Sequence, residues 1–237
     1  MKKFLFFVLV TIPVFVSTAQ TVILEREEDG IMDTSFTTIF EEEAEKKIIN
    51  PSINGLGFPV TQSEPGAEIE NGTSIQLIFG SATLYKFNRI LAGGINGTYN
   101  FYNYRLAQNP EKVFPIVYAE SNKETFRLNC LQFGPAFNIN FTPNRTSKTV
   151  SLDIGSDAVW VMGSNHRTWN ENEDGSITKV KTRKLDYVRT FHYISYARIG
   201  LGAVALYCSY RMTDVFTEES LFPELPNVNA GIGFTFK

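Results

Sequence analysis

The sequence predicts an all-β fold: an eight-stranded antiparallel up-and-down transmembrane β-barrel with a short N-terminal periplasmic segment. Three observations lead there. From residue 52 onward, apolar and polar side chains alternate in eight separate segments, the period of a strand with two unlike faces. The connections between those segments run long, short, long, short, long, short, long, so one end of the meander carries only long loops and the other only tight turns, the habit of outer-membrane barrels. Beyond the first twenty residues, no stretch approaches the roughly 18 to 20 consecutive apolar residues of a membrane helix. A chain that crosses a bilayer with these segments crosses it as strands.

Composition agrees. The 237 residues include 20 Phe and 10 Tyr, an aromatic share of 14%, yet mean hydropathy is −0.11. Large apolar side chains are therefore interleaved with polar ones rather than massed in runs. The formal charge of −3 disfavours nucleic acid as a partner.

Taken in order, Lys2 and Lys3 precede the apolar run 4–16, and Ser17, Thr18 and Ala19 stand before Gln20. This is a secretory signal peptide over residues 1–19, cleaved near Ala19. No Cys follows Ala19 to carry a lipid. Residues 20–50 form an acidic periplasmic leader. Within it Phe36, Ile39, Phe40, Ala44 and Ile48 recur at helical spacing behind a Ser35 cap, with Glu41 to Glu43 and Glu45 opposite, the pattern of a short amphipathic helix. A plug or docking element for a partner and a solvated leader both fit that pattern.

Residues 51–237 are assigned to the barrel. The first strand, 52–60, contains Pro59, and a polar stretch leads to 73–87, where Ile75, Leu77 and Phe79 alternate with Ser74, Gln76 and Gly80. An Asn88-Arg89 turn joins this to 90–104, with Leu91, Ile95, Tyr99 and Phe101 against Ala92, Gly94, Asn96, Thr98 and Asn100. A long connection precedes 124–142, with Leu131, Phe133, Phe137, Ile139 and Phe141 on one face. After a turn at 143–147 comes 148–162, where Val150, Leu152, Ile154, Ala158 and Trp160 oppose Ser151, Asp153, Gly155 and Asp157. Residues 163–183 read as a polar loop with a turn signal at 172–175. The strand 184–199 carries Tyr187, Phe191, Tyr193 and Ile199, and Gly200 to Gly202 turn tightly. In 203–214, Val204, Leu206, Cys208 and Tyr210 oppose Ala205, Tyr207, Ser209 and Arg211. Cys130 and Cys208 lie in apolar-patterned segments, where free Cys behaves as a small hydrophobe.

The chain closes on 228–236, with Ala230, Ile232, Phe234 and Phe236 on one side. A terminal strand of that kind must pair with the first to leave no unpaired backbone in hydrocarbon, and its aromatic face looks at lipid. Tyr85, Phe87, Phe141, Phe234 and Phe236 then form an aromatic girdle at the turn end, with Tyr99, Phe101, Trp160 and Tyr187 at the opposite rim. The polar faces fill the lumen.

Four stretches, ILAGGINGTYNFYNYRL (90–106), FRLNCLQFGPAFNINF (126–141), ALYCSYRMTDVF (205–216) and NAGIGFTF (229–236), resemble the porin-like and PorT-like outer-membrane β-barrel domain family, of the OmpA/OmpX eight-stranded type. The resemblance runs from about residue 70 to the end and leaves out residues 20–50. It implies an eight-stranded barrel in the outer membrane and no single activity, since members range from structural barrels to secretion and adhesion components. The final strand is similar to the signal read by barrel-assembly machinery, except that Lys237 follows the last Phe.

Candidate site residues are of one kind. Asp153, Asp157, His192, Arg198 and Arg211 all point inward, with Asp186 and Tyr196 beside them. An eight-stranded lumen holds side chains or one small ligand, so opposed carboxylates and guanidinia there form a mutually bonded structural plug. His166 sits in the loop sequence GSNHRTW beside Ser164 and near Glu173 and Asp174. Nothing in the sequence orders them as nucleophile, base and orienting acid, and no catalytic residue is assigned. The segment 170–174 lacks the ligand spacing of a calcium loop; neither metal nor cofactor is expected. The functional reading is a non-enzymatic outer-membrane barrel acting structurally or in interaction and adhesion through its outer loops, not an open pore. The expected partners are outer-membrane lipids, the barrel-assembly machinery through the C-terminal strand, and an envelope protein. The alternatives are a component of a secretion or transport assembly, and a lipid-modifying enzyme such as a lipid A acyl hydrolase or acyltransferase.

Overall fold

The computed structural model describes residues 47–113, 123–143, 149–172 and 174–235. The signal peptide, the helix expected before residue 47, most of the 143–147 turn, Glu173 and Phe236 lie outside the described residues. Ten strands follow in order: β1 Ile48–Ile49, β2 Ser52–Pro59, β3 Ile75–Lys86, β4 Leu91–Leu106, β5 Lys123–Asn140, β6 Val150–Glu171, β7 Ile177–Arg183, β8 Phe191–Leu201, β9 Val204–Arg211 and β10 Val228–Phe234. All pairings are antiparallel. The last strand closes the ring, with Ile232 opposite Leu206 of β9 on one side and Leu56 of β2 on the other. The fold is thus a closed eight-stranded antiparallel barrel made by β2 to β6 and β8 to β10.

Two strands stand outside that ring. β1 prolongs β2, since Ile48 pairs with Tyr85 on the same neighbour, and Pro51, which has no N–H to give, accepts the Ala82 N–H through its carbonyl at 3.0 Å. A proline is tolerated at such an interruption. Ile48, which the sequence pattern assigns to a leader helix, is therefore a strand residue. Among the described residues β7 pairs only with the far part of β6, Asn165 to Glu171.

The ring has a measurable stagger. Starting at Lys86, lateral partners run Ala92, Asn138, Asp153, Arg198, Tyr207, Gly231 and Gly57, and return to β3 at Gln76. The offset is 86 − 76, ten residues. Ten rises of about 3.3 Å against eight strand spacings of about 4.8 Å tilt the strands by roughly 40°.

The face assignments follow the sequence period through most of the ring. Phe79, Ile95, Phe133, Phe137, Ile154, Trp160, Phe191, Ile199, Leu206 and Ile232 are exposed on the outside, while Gln76, Asn96, Asn100, Gln132, Asp157 and Ser209 are buried inside. Cys130 is buried in the lumen and Cys208 lies outside, both as free thiols. At the short-turn end, Gly202 adopts φ 69° between β8 and β9, a conformation that favours glycine.

Four expectations are overturned. The segment 163–183 is not a loop, because β6 continues to Glu171 and returns as β7. A β-bulge makes this possible: Asn129 pairs with Gly163 and Cys130 with Val161, so Met162 is the extra residue. One inserted residue reverses the facing of everything beyond it, and Ser164, His166 and Thr168 consequently turn inward, all buried. Residues 184–190 are irregular, β8 begins only at Phe191, and Asp186 is exposed beside it rather than in the lumen. Tyr187 is not at the outer rim. Its ring packs on Phe222 (5.1 Å between centroids) and Phe216 (6.1 Å) above the core.

The fourth correction concerns the lumen itself, which is polar only in its middle. Near the short turns it holds Ile53, Ala82, Leu84, Ala92 and Ala136. Toward the long loops it holds Tyr102, Tyr104, Leu106, Phe126, Leu128, Val159 and Ile194, covered by Leu185, Val188, Val215, Phe216 and Leu225. On the part of the sheet that rises above the ring, the outward residues are instead polar: Asn103 and Arg105, then Arg127 and Asn129, then Asn165 and Arg167. The barrel is apolar outside in its lower part and apolar inside in its upper part.

Candidate functional site

The polar middle layer is built by inward positions of β3, β4, β5 and β9. Gln76 Nε2 donates to Asn100 Oδ1 (2.8 Å) and to Tyr102 Oη (3.1 Å), while its Oε1 accepts the Tyr207 hydroxyl at 3.1 Å. Gln132 Nε2 donates to Tyr102 Oη at 2.9 Å, and Asn100 Nδ2 to Thr98 Oγ1 at 2.8 Å. These side chains satisfy one another across the lumen, as buried polar groups must. The amides and phenols that do this were legible as inward positions, but nothing in the sequence marks them as one network.

The five residues expected to form a plug are distributed along the axis. Asp157 accepts from Asn96 Nδ2, which also donates to the Tyr196 hydroxyl. Asp153 accepts from Asn138 Nδ2, one strand away. Arg198 stands opposite Asp153 in register, with its guanidinium carbon 5.4 Å from the Tyr196 ring centroid. Small lumen cavities beside these groups are lined by Arg198, Tyr196, Thr235 and Ile53. His192 is buried toward the loop end, where it lines one small cavity with Tyr104, Val159 and Arg211. Arg211 does not pair with an aspartate. Its Nη2 donates to Glu224 Oε2 (2.9 Å) and to the Leu225 carbonyl (2.7 Å), both in the loop before β10. Burial pushes the Glu224 carboxyl above the usual range, with the Arg211 charge opposing that shift. Glu224 Oε1 also accepts the Phe216 N–H at 3.0 Å, so one carboxylate ties β9 to the loop that covers the lumen.

A second buried polar group lies at the top of the same interior. Glu124 and His166 are both fully enclosed, with His166 Nε2 3.6 Å from Glu124 Oε1. The Lys112 ammonium, arriving from the β4–β5 connection, pairs with Glu124 Oε2 and donates to Gln108 Oε1 at 3.2 Å. Gln108 Nε2 donates to Glu124 Oε2 at 3.3 Å. No sequence signal pointed to Lys112 or Glu124, since one lies in a loop and the other precedes Phe126, Leu128 and Cys130 on an otherwise apolar inward face. Ser164 Oγ accepts the Leu185 N–H at 3.0 Å, and no hydrogen bond joins it to His166 among the described residues. The serine is occupied as a loop anchor, and the acid faces the imidazole from the interior. A nucleophile-base-acid relay needs a different order of contacts.

The expected girdle residues stand on the outer surface: Tyr85, Phe87, Phe141 and Phe234 are exposed toward the short turns, and Trp160 is exposed higher up. Tyr85 and Phe87 meet edge to face at 5.8 Å. Tyr99, half-buried, donates its hydroxyl to Asn129 Oδ1 at 2.7 Å, and Phe101 lies opposite Asn129. Among the described residues, no cluster of His, Cys, Asp and Glu has the arrangement of a metal site.

No protein-family model and no curated protein matches the chain. Among solved structures, the chain is similar to the attachment invasion locus protein Ail of Yersinia pestis, crystallised with the heparin analogue sucrose octasulfate. The match has 13% identity, covers 79% of this chain and 98% of that one, and has a TM-score of 0.32. A superposition this loose adds nothing to the strand pairings above.

Proposed function

We propose that the protein is an integral outer-membrane β-barrel, exported on the signal peptide 1–19, that acts structurally or as an interaction and adhesion protein through its long-loop end and is not a diffusion pore. The observation that carries this reading is the reversal of faces along the strands. Exposed Phe79, Ile95, Phe133, Phe137, Leu206 and Ile232 form an apolar belt around the ring, which water disfavours at roughly 25 cal/mol per Å² and hydrocarbon accepts. Above the belt the outer face of the sheet turns polar, as at a membrane surface. The belt suits the outer-membrane lipids named as partners, and the strand Val228–Phe234 is the element that assembly machinery would engage.

The filled lumen supports the second half of the proposal. A polar bonded layer and an aromatic cap of Phe126, Phe216, Phe222 and Tyr187, with neighbouring centroids 5.1 to 6.1 Å apart, stand one above the other across the axis. The test is a detergent gel with and without boiling, together with conductance in planar bilayers. The unboiled protein is expected to migrate faster than the boiled one, as closed membrane barrels do when their unfolding is slow, and to show no channels. A single unshifted band and recovery from the aqueous fraction of cells would overturn the membrane assignment; steady unitary conductance would overturn the sealed lumen.

A further inference from the structure

The outward face of β5, β6 and β7 above the apolar belt carries six cations in register. Across the three strands, Lys123, Trp169 and Lys179 form one row, Thr125, Arg167 and Lys181 the next, and Arg127, Asn165 and Arg183 the third. The Lys123 ammonium lies 5.3 Å from the Trp169 ring centroid. Arg127 Nε donates to Asn103 Oδ1 (2.7 Å) and Arg167 Nε to Asn165 Oδ1 (3.2 Å), and both acceptors are neutral. Among the described residues none of the six has a carboxylate in ion-pair range. Of the described acids nearby, Glu70 holds Arg105 at 2.7 Å and Glu124 faces the interior, while Glu171, opposite Ile177, closes the same face at the hairpin tip one row beyond Trp169 and Lys179.

Like charges side by side on one sheet face oppose folding. The Lys181 ammonium is pushed below the usual lysine range, by desolvation first and then by the Arg167, Arg183 and Arg127 charges. A chain of net charge −3 that nevertheless concentrates six cations on one face has left them for an external counter-charge. Their height decides which one. On β5 the outward residues change from Phe133 and Leu131 to Asn129 and Arg127, and on β6 from Trp160 and Met162 to Asn165 and Arg167. The cations therefore begin where the apolar belt ends and continue outward on the same side of the sheet.

We propose that this face binds the phosphate groups of lipid headgroups in the leaflet at the long-loop end. Cross-strand neighbours about 5 Å apart and same-face neighbours about 7 Å apart along a strand form a grid in which each phosphate meets two or more cations, with guanidinium forks matching phosphate oxygens. The inference rests on the membrane-barrel reading.

The experiment compares the full-length protein with an Arg167→Gln, Lys181→Gln, Arg183→Gln variant in detergent. Retention of diphosphoryl lipid A against excess phosphatidylcholine is read by native mass spectrometry. The native protein is expected to retain the diphosphoryl lipid over a form stripped of its phosphates, and the variant to lose that preference by on the order of a hundredfold, from three basic side chains removed at an anionic surface. Added salt weakens the native preference. Equal retention by both proteins would overturn the inference, as would stronger binding of a soluble sulfated polysaccharide that the same substitutions abolish. The heat-induced gel shift of both proteins separates the two levels of failure: a shift without lipid preference removes only the headgroup site, and no shift in the native protein removes the barrel reading beneath it.

Discussion

The phenol of Tyr207 lies across Gly57, filling the space in which a Cβ on that residue would stand. Tyr207 is thereby free to reach Gln76, whose Oε1 accepts its hydroxyl at 3.1 Å. Gly57→Ala is expected to displace the ring and break into the amide network, at a cost of about 1 to 3 kcal/mol for overpacking. Gly97 faces outward with nothing within 4 Å of its Cβ position, so Gly97→Ala should cost almost nothing. Urea unfolding in lipid vesicles, followed by the gel shift, compares the two. Equal midpoints would mean that the ring does not occupy that space.

The apolar belt makes a sharper contrast between two exposed leucines. Leu206 on β9 is 55% exposed and Leu221 in the following loop 89%. By exposure alone the loop residue is the more accessible, and in water both would accept arginine. In a bilayer, Leu206→Arg is expected to cost about 2 to 4 kcal/mol if it lies near the midplane, falling toward zero at the interface, while Leu221→Arg is neutral. The same vesicle unfolding measurement applies. Tolerance of Leu206→Arg would place the belt in water.

The upper core is an ordinary protein interior and should respond like one. Phe126 is wholly buried, with its ring 5.7 Å from Phe216 and 6.5 Å from Tyr104. Phe126→Ala is expected to cost about 3 to 5 kcal/mol and to loosen the cover formed by Phe216 and Tyr187. Limited proteolysis of the loop before β10 reports the second effect directly. Unchanged cleavage would show that the cover does not depend on this core.

How far the sequence reveals this molecule depends on which part of the strand is read. In the lower ring, where the apolar belt lies outside and a single lumen layer inside, the alternation of Ile95 with Asn96 or of Phe133 with Gln132 states the facing outright. Higher up both faces carry large side chains. In 101–106 the outward Phe101 and Arg105 alternate with the inward Tyr102, Tyr104 and Leu106, and a polarity rule calibrated on the apolar belt fails because the interior there is itself apolar. The bulge at Met162 shifts the parity of β6, and the lone Gly163 beside it, which hints at a bulge, reads equally as the start of a polar loop, which is why His166 reads as a loop residue from sequence and is buried in the structure. Glu124 and Lys112 were illegible for another reason: their meeting depends on where the β4–β5 connection folds back, which no local pattern encodes.

That meeting supplies the last test. Glu124 is wholly buried, and the Lys112 ammonium compensates its charge. Removing one partner of such a pair strands the other in the interior, so Lys112→Met is expected to cost about 3 to 5 kcal/mol. Glu124→Gln alone leaves the ammonium only partly buried, and should cost less. The double variant Lys112→Met, Glu124→Gln leaves neither charge of the pair behind and is expected to recover most of the loss, with a coupling energy near that of the first substitution. A double-mutant cycle on vesicle unfolding midpoints measures it. Additive losses would mean that Lys112 holds the β4–β5 connection by packing its stem rather than by its charge, and that Glu124 is compensated from elsewhere, with His166 the nearest candidate at 3.6 Å.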